Sequence, residues 1–170
     1  EVLKFADGFH VLDGMSIQAA IDAASDGDTI FVAPGTYAES LTLTKSLTLI
    51  GDPGASGEIG AGSDAPQLIG GEAWSLSTIS IAAEGVTITG FDVTNATGPY
   101  GIKVDAGDAN LSHNRVHDIN GALSGDGIRA IWINPVNDVV VENNIIEDFG
   151  NDTNESAASH HKTAAGIFVW

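Results

Sequence analysis

The sequence predicts an all-β chain built as a solenoid, because two apolar patterns recur along it. The first pattern occupies three segments that align without gaps, at residues 86–93, 109–116 and 139–146. Within these segments the equivalent residues Ile88, Leu111 and Val141 follow one another after 23 residues and then 30 residues. A period of that size is typical of a solenoid, in which each repeat stacks on the one before it.

The second pattern is an apolar, variable, apolar triplet, which occurs at residues 79–81, 102–104, 128–130 and 167–169. Alternation along a strand buries the first and third residues of each triplet and turns the middle one outward. The predicted outward column is Ser80, Lys103, Arg129 and Phe168. The 21 glycines fit the tight corners that such a repeat needs, because glycine readily adopts positive φ angles.

Composition indicates one domain over residues 1–170, with a formal net charge of −17. So acidic a chain argues against nucleic acid as a partner, since phosphate binding needs a basic patch. The absence of cysteine excludes disulfides and thiol chemistry. The sequence contains no apolar run of about 18 residues, so it predicts no membrane-spanning helix. The acidity suits a salty or calcium-containing exterior, or is simply a solvated acidic surface.

The first elements can be assigned in chain order. Residues 1–28 form a lead-in and a cap helix at 16–24, with Ser16 as the N-cap and Gly27 in the turn that follows. Strands are predicted at 29–32, 41–43 and 47–50, from their apolar alternation with threonine. The patternless segments 51–71 and 151–163 are predicted to be loops inserted between coils that together span 29–170.

Residues 16–24, 27–37 and 47–51 together resemble the opening of the pectin-lyase-like β-helix superfamily. The resemblance implies a right-handed single-stranded parallel β-helix of about six coils, with an N-terminal capping α-helix. The superfamily includes polysaccharide lyases, methylesterases, glycosidases, epimerases, phage tailspikes and surface proteins without catalysis, so the fold alone selects no activity. It leads us to expect a secreted or cell-surface protein of a bacterium or archaeon.

Lys103 and Arg129 are the first candidate site, since the triplets place them in one outward column about 5 Å apart. Two stacked cations repel, so Asp105, Asp126 or a bound polyanion should offset them. The resemblance to the alginate-lyase and chondroitinase-B-like branch implies that the two cations are catalytic residues in β-elimination on a uronic-acid polymer. The alternative is two solvated side chains, each paired with a nearby carboxylate.

Further candidates for substrate binding are aromatic, basic and histidine side chains, namely Trp132, Arg115, His113, His117, His160 and His161. Strand alternation predicts that His113, Arg115 and His117 share one outer face. Nearby carboxylates are those of Asp118 and, one coil on, Glu142, Glu147 and Asp148. A histidine beside a carboxylate can serve as a general base or a metal ligand. The alternative is a solvated sheet face with cross-strand ion pairs.

Calcium is the one cofactor that the sequence suggests, with Asp105 and Asp126 as candidate ligands. No glycine-aspartate nonapeptide repeat supports it, and the motifs typical of pectin methylesterases and polygalacturonases are missing. Asn114 and Asn144 occupy equivalent positions beside a corner, where we expect them to form a hydrogen-bonded ladder rather than a site.

The function expected from these features is a carbohydrate-active module that binds or acts on a polysaccharide, by β-elimination or epimerisation if it is an enzyme. The alternative is a non-catalytic surface or structural module, which binds glycan or self-associates end to end. Residues 167–170 end within a strand pattern, so we expect an open edge there and a longer parent protein.

Overall fold

The computed structural model describes residues 2–54, 64–70, 77–95, 97–119, 127–148 and 164–170. In these residues one helix, α1, covers Ile17–Ala23, and none is long enough to cross a membrane. The strands, in chain order, are β1 Leu3–Phe5, β2 Gly8–Val11, β3 Thr29–Val32, β4 Thr36–Tyr37, β5 Leu41–Leu43, β6 Thr48–Gly51, β7 Gln67–Ile69, β8 Ser77–Ile81, β9 Thr87–Thr89, β10 Asp92–Asn95, β11 Tyr100–Val104, β12 Asn110–Ser112, β13 Arg115–Ile119, β14 Ile128–Ile133, β15 Val140–Glu142, β16 Ile145–Ile146 and β17 Ala164–Val169.

The chain is all-β apart from α1, and its strands form three sheets that it visits in turn. The first sheet has the order β1-β2-β3-β6-β9-β12-β15, the second β16-β13-β10-β7-β4 and the third β17-β14-β11-β8-β5. From β3 onward, every three consecutive strands supply one strand to each sheet, and each strand pairs in parallel with the strand three places later. The described strands from β3 to β17 complete five such circuits. Before them, β1 and β2 form an antiparallel pair that extends the first sheet, and β2 leads into α1.

Apolar side chains from the three sheets meet in one core. In the first sheet Ile30, Leu49, Ile88 and Leu111 lie in register and are fully buried. In the second sheet Val93 pairs with Val116, which are also equivalent apolar positions of the repeat. The predicted repeat of apolar strand positions is therefore confirmed in both sheets.

The register of the third sheet corrects one prediction. Ile102 pairs with Ile131, which places Lys103 opposite Trp132. The triplet alignment instead predicts Lys103 opposite Arg129, so that alignment differs from the observed register by three residues. The two cations therefore do not lie in one column, and the prediction that they are directly opposite each other on neighbouring strands is wrong.

The cause of this error is a second triplet immediately after the first. Residues 128–130 and 131–133 both read apolar, variable, apolar. The structure buries Ile131 and Ile133, whereas Ile128 stays partly exposed. Burial of two isoleucines removes more apolar surface from water than burial of an isoleucine and an alanine, so the later triplet sets the register.

Helix α1 covers the first strand of the third sheet and is held at both ends by charged side chains. Ser16 accepts a hydrogen bond from the Ala19 amide as the N-cap, and the Glu39 carboxylate accepts one from the Ile17 amide at 2.6 Å. At the other end the Lys45 ammonium donates to three carbonyls, those of Ile21, Asp22 and Ala24. These charges oppose the helix dipole at both termini.

The same helix satisfies the free edge of β5. Gln18 accepts from the Thr42 amide at 2.9 Å and donates to the Thr42 carbonyl at 3.3 Å. A glutamine side chain thus hydrogen-bonds to the backbone of β5 where no neighbouring strand does so.

One strand lies where the sequence predicted only loop. Strand β7 falls within 51–71, with Leu68 fully buried and paired between Tyr37 and Val93. Only Leu68 points inward from β7, so the strand shows no apolar alternation by which the sequence could reveal it. Gly51, at the start of the segment, has no room for a side chain, because a Cβ atom would lie 2.2 Å from the Gly90 carbonyl oxygen. Residues 55–63 and the predicted loop 151–163 lie outside the described part of the chain.

The asparagine ladder is confirmed at the corner between the first and second sheets. Asn114 donates from Nδ2 to Asn144 Oδ1 at 3.1 Å, and its own Oδ1 accepts from the Phe91 amide at 3.1 Å. Asn114 is fully buried, so these bonds satisfy polar groups that water cannot reach.

Candidate functional site

The outer face of the third sheet carries a group of rings and cations that we call the aromatic–cation surface: Tyr100, Lys103, Arg129, Trp132 and Phe168. Register places it across three neighbouring strands, since Lys103 pairs with Trp132, Trp132 pairs with Phe168, and Tyr100 pairs with Arg129. The surface is therefore built by stacking repeats rather than by one continuous stretch of sequence.

A local break in strand alternation brings Arg129 onto this face. Ala130 and Ile131 are consecutive, and both are fully buried. Strict alternation from Ile131 would turn Arg129 inward, but the break lets it share the outer face with Trp132. The equivalent break on β11 falls at Gly101, where a Cβ atom would meet the Ala130 carbonyl oxygen at 2.6 Å.

Arg129 lies among three aromatic rings. Its guanidinium carbon is 4.2 Å from the ring centroid of Phe168, 5.2 Å from that of Trp132 and 5.8 Å from that of Tyr100. The Tyr100 and Trp132 ring centroids are 4.6 Å apart. Cation–π contacts of this kind hold a guanidinium in place without neutralising its charge.

The two cations of the surface differ in their pairing. Lys103 forms an ion pair with Asp105 at 2.7 Å, and Asp105 also accepts a hydrogen bond from Asn134. Within the described residues Arg129 has no carboxylate partner, and its one hydrogen bond reaches the Gly127 carbonyl at 3.4 Å. The buried Arg129 Nε and Trp132 Nε1 atoms also have no hydrogen-bond partner there.

Arg129 stands apart from the other basic residues that the structure describes. Lys4 pairs with Asp28, Lys45 binds the carbonyls at the end of α1, and Arg115 binds two carboxylates. In a chain with 23 acidic residues, a cation without a carboxylate partner among the described residues is the exception.

The outer face of the second sheet carries a second group, which we call the ionic network: Asp92, Arg115, His117, Asp118 and Glu147. Arg115 donates to Glu147 at 2.7 Å and to Asp92 at 3.1 Å, and the His117 ring lies 2.5 Å from Asp92 and 2.7 Å from Asp118. The side chains of Asp92, Arg115 and His117 are each about nine-tenths buried.

An irregularity in β13 aims Asp118 at its neighbour. The register with β10 shifts after Thr94, which pairs with His117, so that Ile119 pairs with Asn95 and Asp118 is the additional residue. Asp118 adopts a positive φ of 51°, which is uncommon for a residue other than glycine. Bulges of this kind redirect side chains, and here the carboxylate turns onto His117 Nδ1.

Electrostatics within the network favour the charged form of Arg115. Burial alone would lower the pKa of its guanidinium, but hydrogen bonds and charge from Glu147 and Asp92 outweigh burial and raise that pKa. Arg115 is therefore a fixed cation that holds two carboxylates together.

With the repeated strands and both outer faces described, the sequence can be compared with known proteins. The chain belongs to the DUF1565 family. The family profile, described as a protein of unknown function (DUF1565), matches residues 15–169. No curated protein and no solved structure matches the chain.

The predicted site residues of this DUF1565 chain separate into two groups. Arg129, Lys103 and Trp132 meet on the aromatic–cation surface, whereas Arg115 and His117 join the ionic network. His113 joins neither, and its predicted place beside Arg115 is wrong. It lies in the corner after β12 with a φ of 54° and an exposed side chain, because the chain turns there before β13 begins.

Of the two candidate metal ligands of this DUF1565 chain, the structure describes only Asp105. Asp105 is occupied by Lys103 and Asn134, and Asp126 lies outside the described residues, as do His160 and His161. Among the residues described, no group of three or more histidine, aspartate and glutamate side chains could hold a metal ion.

Sequence reasoning missed Asp92 and Tyr100. A signal for Asp92 was present, since the gapless alignment of 86–93 with 109–116 sets Asp92 opposite Arg115. No such signal marked Tyr100, because its position follows from the three-residue register shift and from the break in alternation at Gly101.

Proposed function

We propose that this protein binds an acidic polysaccharide on the aromatic–cation surface, as a secreted or cell-surface module. The observation that carries the proposal is Arg129, a guanidinium held among three rings with no carboxylate partner in the described residues. Sugar rings pack on aromatic faces, and a carboxylate or sulfate on the sugar offers the counterion that no described residue provides to Arg129.

The proposed architecture is a right-handed parallel β-helix with α1 as its N-terminal cap. Supporting it are the three parallel sheets visited in turn and the membership of a family often associated with β-helix proteins. On such a scaffold neighbouring strands lie about 4.8 Å apart, so the partly exposed, register-paired rings of Trp132 and Phe168 lie side by side along the proposed path of an extended polymer.

Binding is favoured over β-elimination by the contacts of Lys103. A general base must reach the proton that it removes, whereas Lys103 Nζ is engaged by the Asp105 carboxylate at 2.7 Å. The proposal therefore assigns Lys103 no role as a base, and it requires no calcium ion.

Affinity electrophoresis tests the proposal with pectate, alginate and chondroitin sulfate as acidic polymers and dextran as the neutral control. We expect the acidic polymers to retard the protein and added salt to weaken the retardation. The same mixtures, followed by ultraviolet absorbance, should release no unsaturated uronide. Retardation by dextran alone, or by none of the four polymers, would contradict the proposal.

A second candidate function is self-association through the last circuit. Ile167, Val169 and Trp170 are 47%, 65% and 77% exposed, and β17 is an edge strand of the third sheet. The proposed contact joins the β17 ends of two copies, because α1 covers the opposite end. Sedimentation at rising concentration tests it, and the Val169→Lys variant should remain monomeric.

A further inference from the structure

The ionic network contains one nitrogen atom with two competing partners. His117 Nε2 lies 2.5 Å from Asp92 Oδ1 and 2.8 Å from Arg115 Nη1. An ionised carboxylate only accepts hydrogen bonds and a guanidinium only donates them. Nε2 cannot satisfy both partners at once, since it either carries a proton or offers a lone pair.

The other ring nitrogen faces a single partner. Nδ1 lies 2.7 Å from Asp118 Oδ2, and the bulge on β13 aims that carboxylate at it. A proton on Nδ1 satisfies Asp118 in the charged ring and in one of the two neutral tautomers. In that tautomer Nε2 is free to accept from Arg115.

We propose that His117 is a proton-operated switch between β10 and β13. With both nitrogens protonated, the imidazolium donates to Asp92 and Asp118 and ties the two strands together. When Nε2 loses its proton, the neutral ring accepts from Arg115 and its hydrogen bond to Asp92 is lost.

The charges around the switch set its direction. The titratable or charged groups facing His117 among the described residues are Asp92 on β10, Arg115 and Asp118 on β13, and Glu147 after β16. The uncharged Thr94 is the register partner of His117 on β10. Three carboxylates and one guanidinium leave an excess of negative charge beside the ring, which the imidazolium reduces.

The switch lies where the second sheet leads into the third, because β13 is followed in the chain by β14. The proposed switch predicts the sign of its effect on folding. The contact between the imidazolium and Asp92 stabilises the fold while Nε2 is protonated, and that contribution is absent once the proton has left.

Nitrogen-15 spectra of the histidine rings of the wild-type protein test the switch directly. Between about pH 5.5 and pH 8.5, we expect His117 Nε2 to lose its proton while Nδ1 keeps its own. A neutral ring with the proton on Nε2, or Nε2 unchanged across the whole range, would overturn the proposal.

Thermal unfolding gives a second measurement of the same switch. Over that pH range the midpoint of the wild-type protein should fall about 5 °C more than that of His117→Gln. His113→Asn is the matched control, because it removes an exposed histidine at a corner and should keep the wild-type dependence. An equal dependence of the midpoint on pH in the wild-type protein and in His117→Gln would contradict the switch. If His117→Gln does not fold, the nitrogen-15 spectra of the wild-type protein test the proposal alone.

Discussion

The outer faces of the second and third sheets both carry arginine, but they use it differently. On the second sheet Arg115 is bound by Asp92 and Glu147, and about a tenth of its side chain is exposed. On the third sheet Arg129 rests on Phe168, Trp132 and Tyr100 without a carboxylate partner in the described residues. Within the described residues, the second sheet pairs its arginine with carboxylates and the third sheet does not, and we propose that a ligand supplies the counterion there.

The difference separates stability from binding. A buried guanidinium between two carboxylates stabilises the fold only while all partners are present, because each charge has lost its hydration. A guanidinium stacked on rings keeps its charge and adds little to folding. Substitutions on the second sheet should therefore change the free energy of unfolding, and substitutions on the third sheet should change affinity.

The largest expected effect comes from Arg115→Ala. It leaves Asp92 buried without its cation, and we expect the free energy of unfolding to fall by about 3 kcal/mol. Urea denaturation measures this loss. Lys4→Ala is the control, since the Lys4–Asp28 pair is exposed and its removal should cost less than about 1 kcal/mol. Similar losses in both variants would remove the contrast between a buried and an exposed pair.

Trp132→Ala should have the next largest effect, now on affinity. Removing the central ring takes away the stacking surface for sugar and the support of both cations. We expect affinity for an acidic polysaccharide to fall about thirtyfold, which is about 2 kcal/mol. Affinity electrophoresis measures it, with Phe5→Ala as an exposed aromatic control at the far end of the chain. An unchanged affinity in a folded Trp132→Ala protein would place binding elsewhere.

Arg129→Gln sharpens the comparison by removing charge and keeping most of the side chain. Affinity for acidic polymers should fall about tenfold at low salt, which is about 1.4 kcal/mol. The remaining affinity should depend less on salt, because the screened charge contact is gone. Titration calorimetry at two salt concentrations measures both effects. A variant that keeps the wild-type salt dependence would show that Arg129 is not the anion contact.

The smallest effect is expected from the double variant Lys103→Gln with Asp105→Asn. This change removes an ion pair that is already neutral overall, so affinity should fall less than about threefold. The same titrations apply. A loss as large as that of Arg129→Gln would restore Lys103 as the principal cation of the site.

The strand repeat could be predicted from sequence because burial imposes it. Ile88 and Leu111 face one core from successive repeats, as do Val93 and Val116, and all four are fully buried apolar side chains. The cap helix was equally readable, since Ser16 and the apolar stripe of α1 are local signals.

The site was less predictable because it depends on register and on corners. Lys103 faces Arg129 if triplet 128–130 is buried and Trp132 if triplet 131–133 is buried. Both triplets alternate in the same way, so alternation alone does not distinguish them. A corner at His113 likewise separates two histidines that a continuous strand would place on one face. Residues that meet across repeats are therefore the part of the site that pattern reasoning locates least well.

The most direct test of the account follows backbone and indole N–H resonances while an acidic oligosaccharide is added. We predict saturable shifts at the Trp132 indole N–H and at the amides of Lys103 and Arg129, with Asp92 and His117 unchanged. Shifts confined to Asp92 and His117, or no shift at Trp132 at saturating ligand, would contradict the claim that the third sheet carries the binding face.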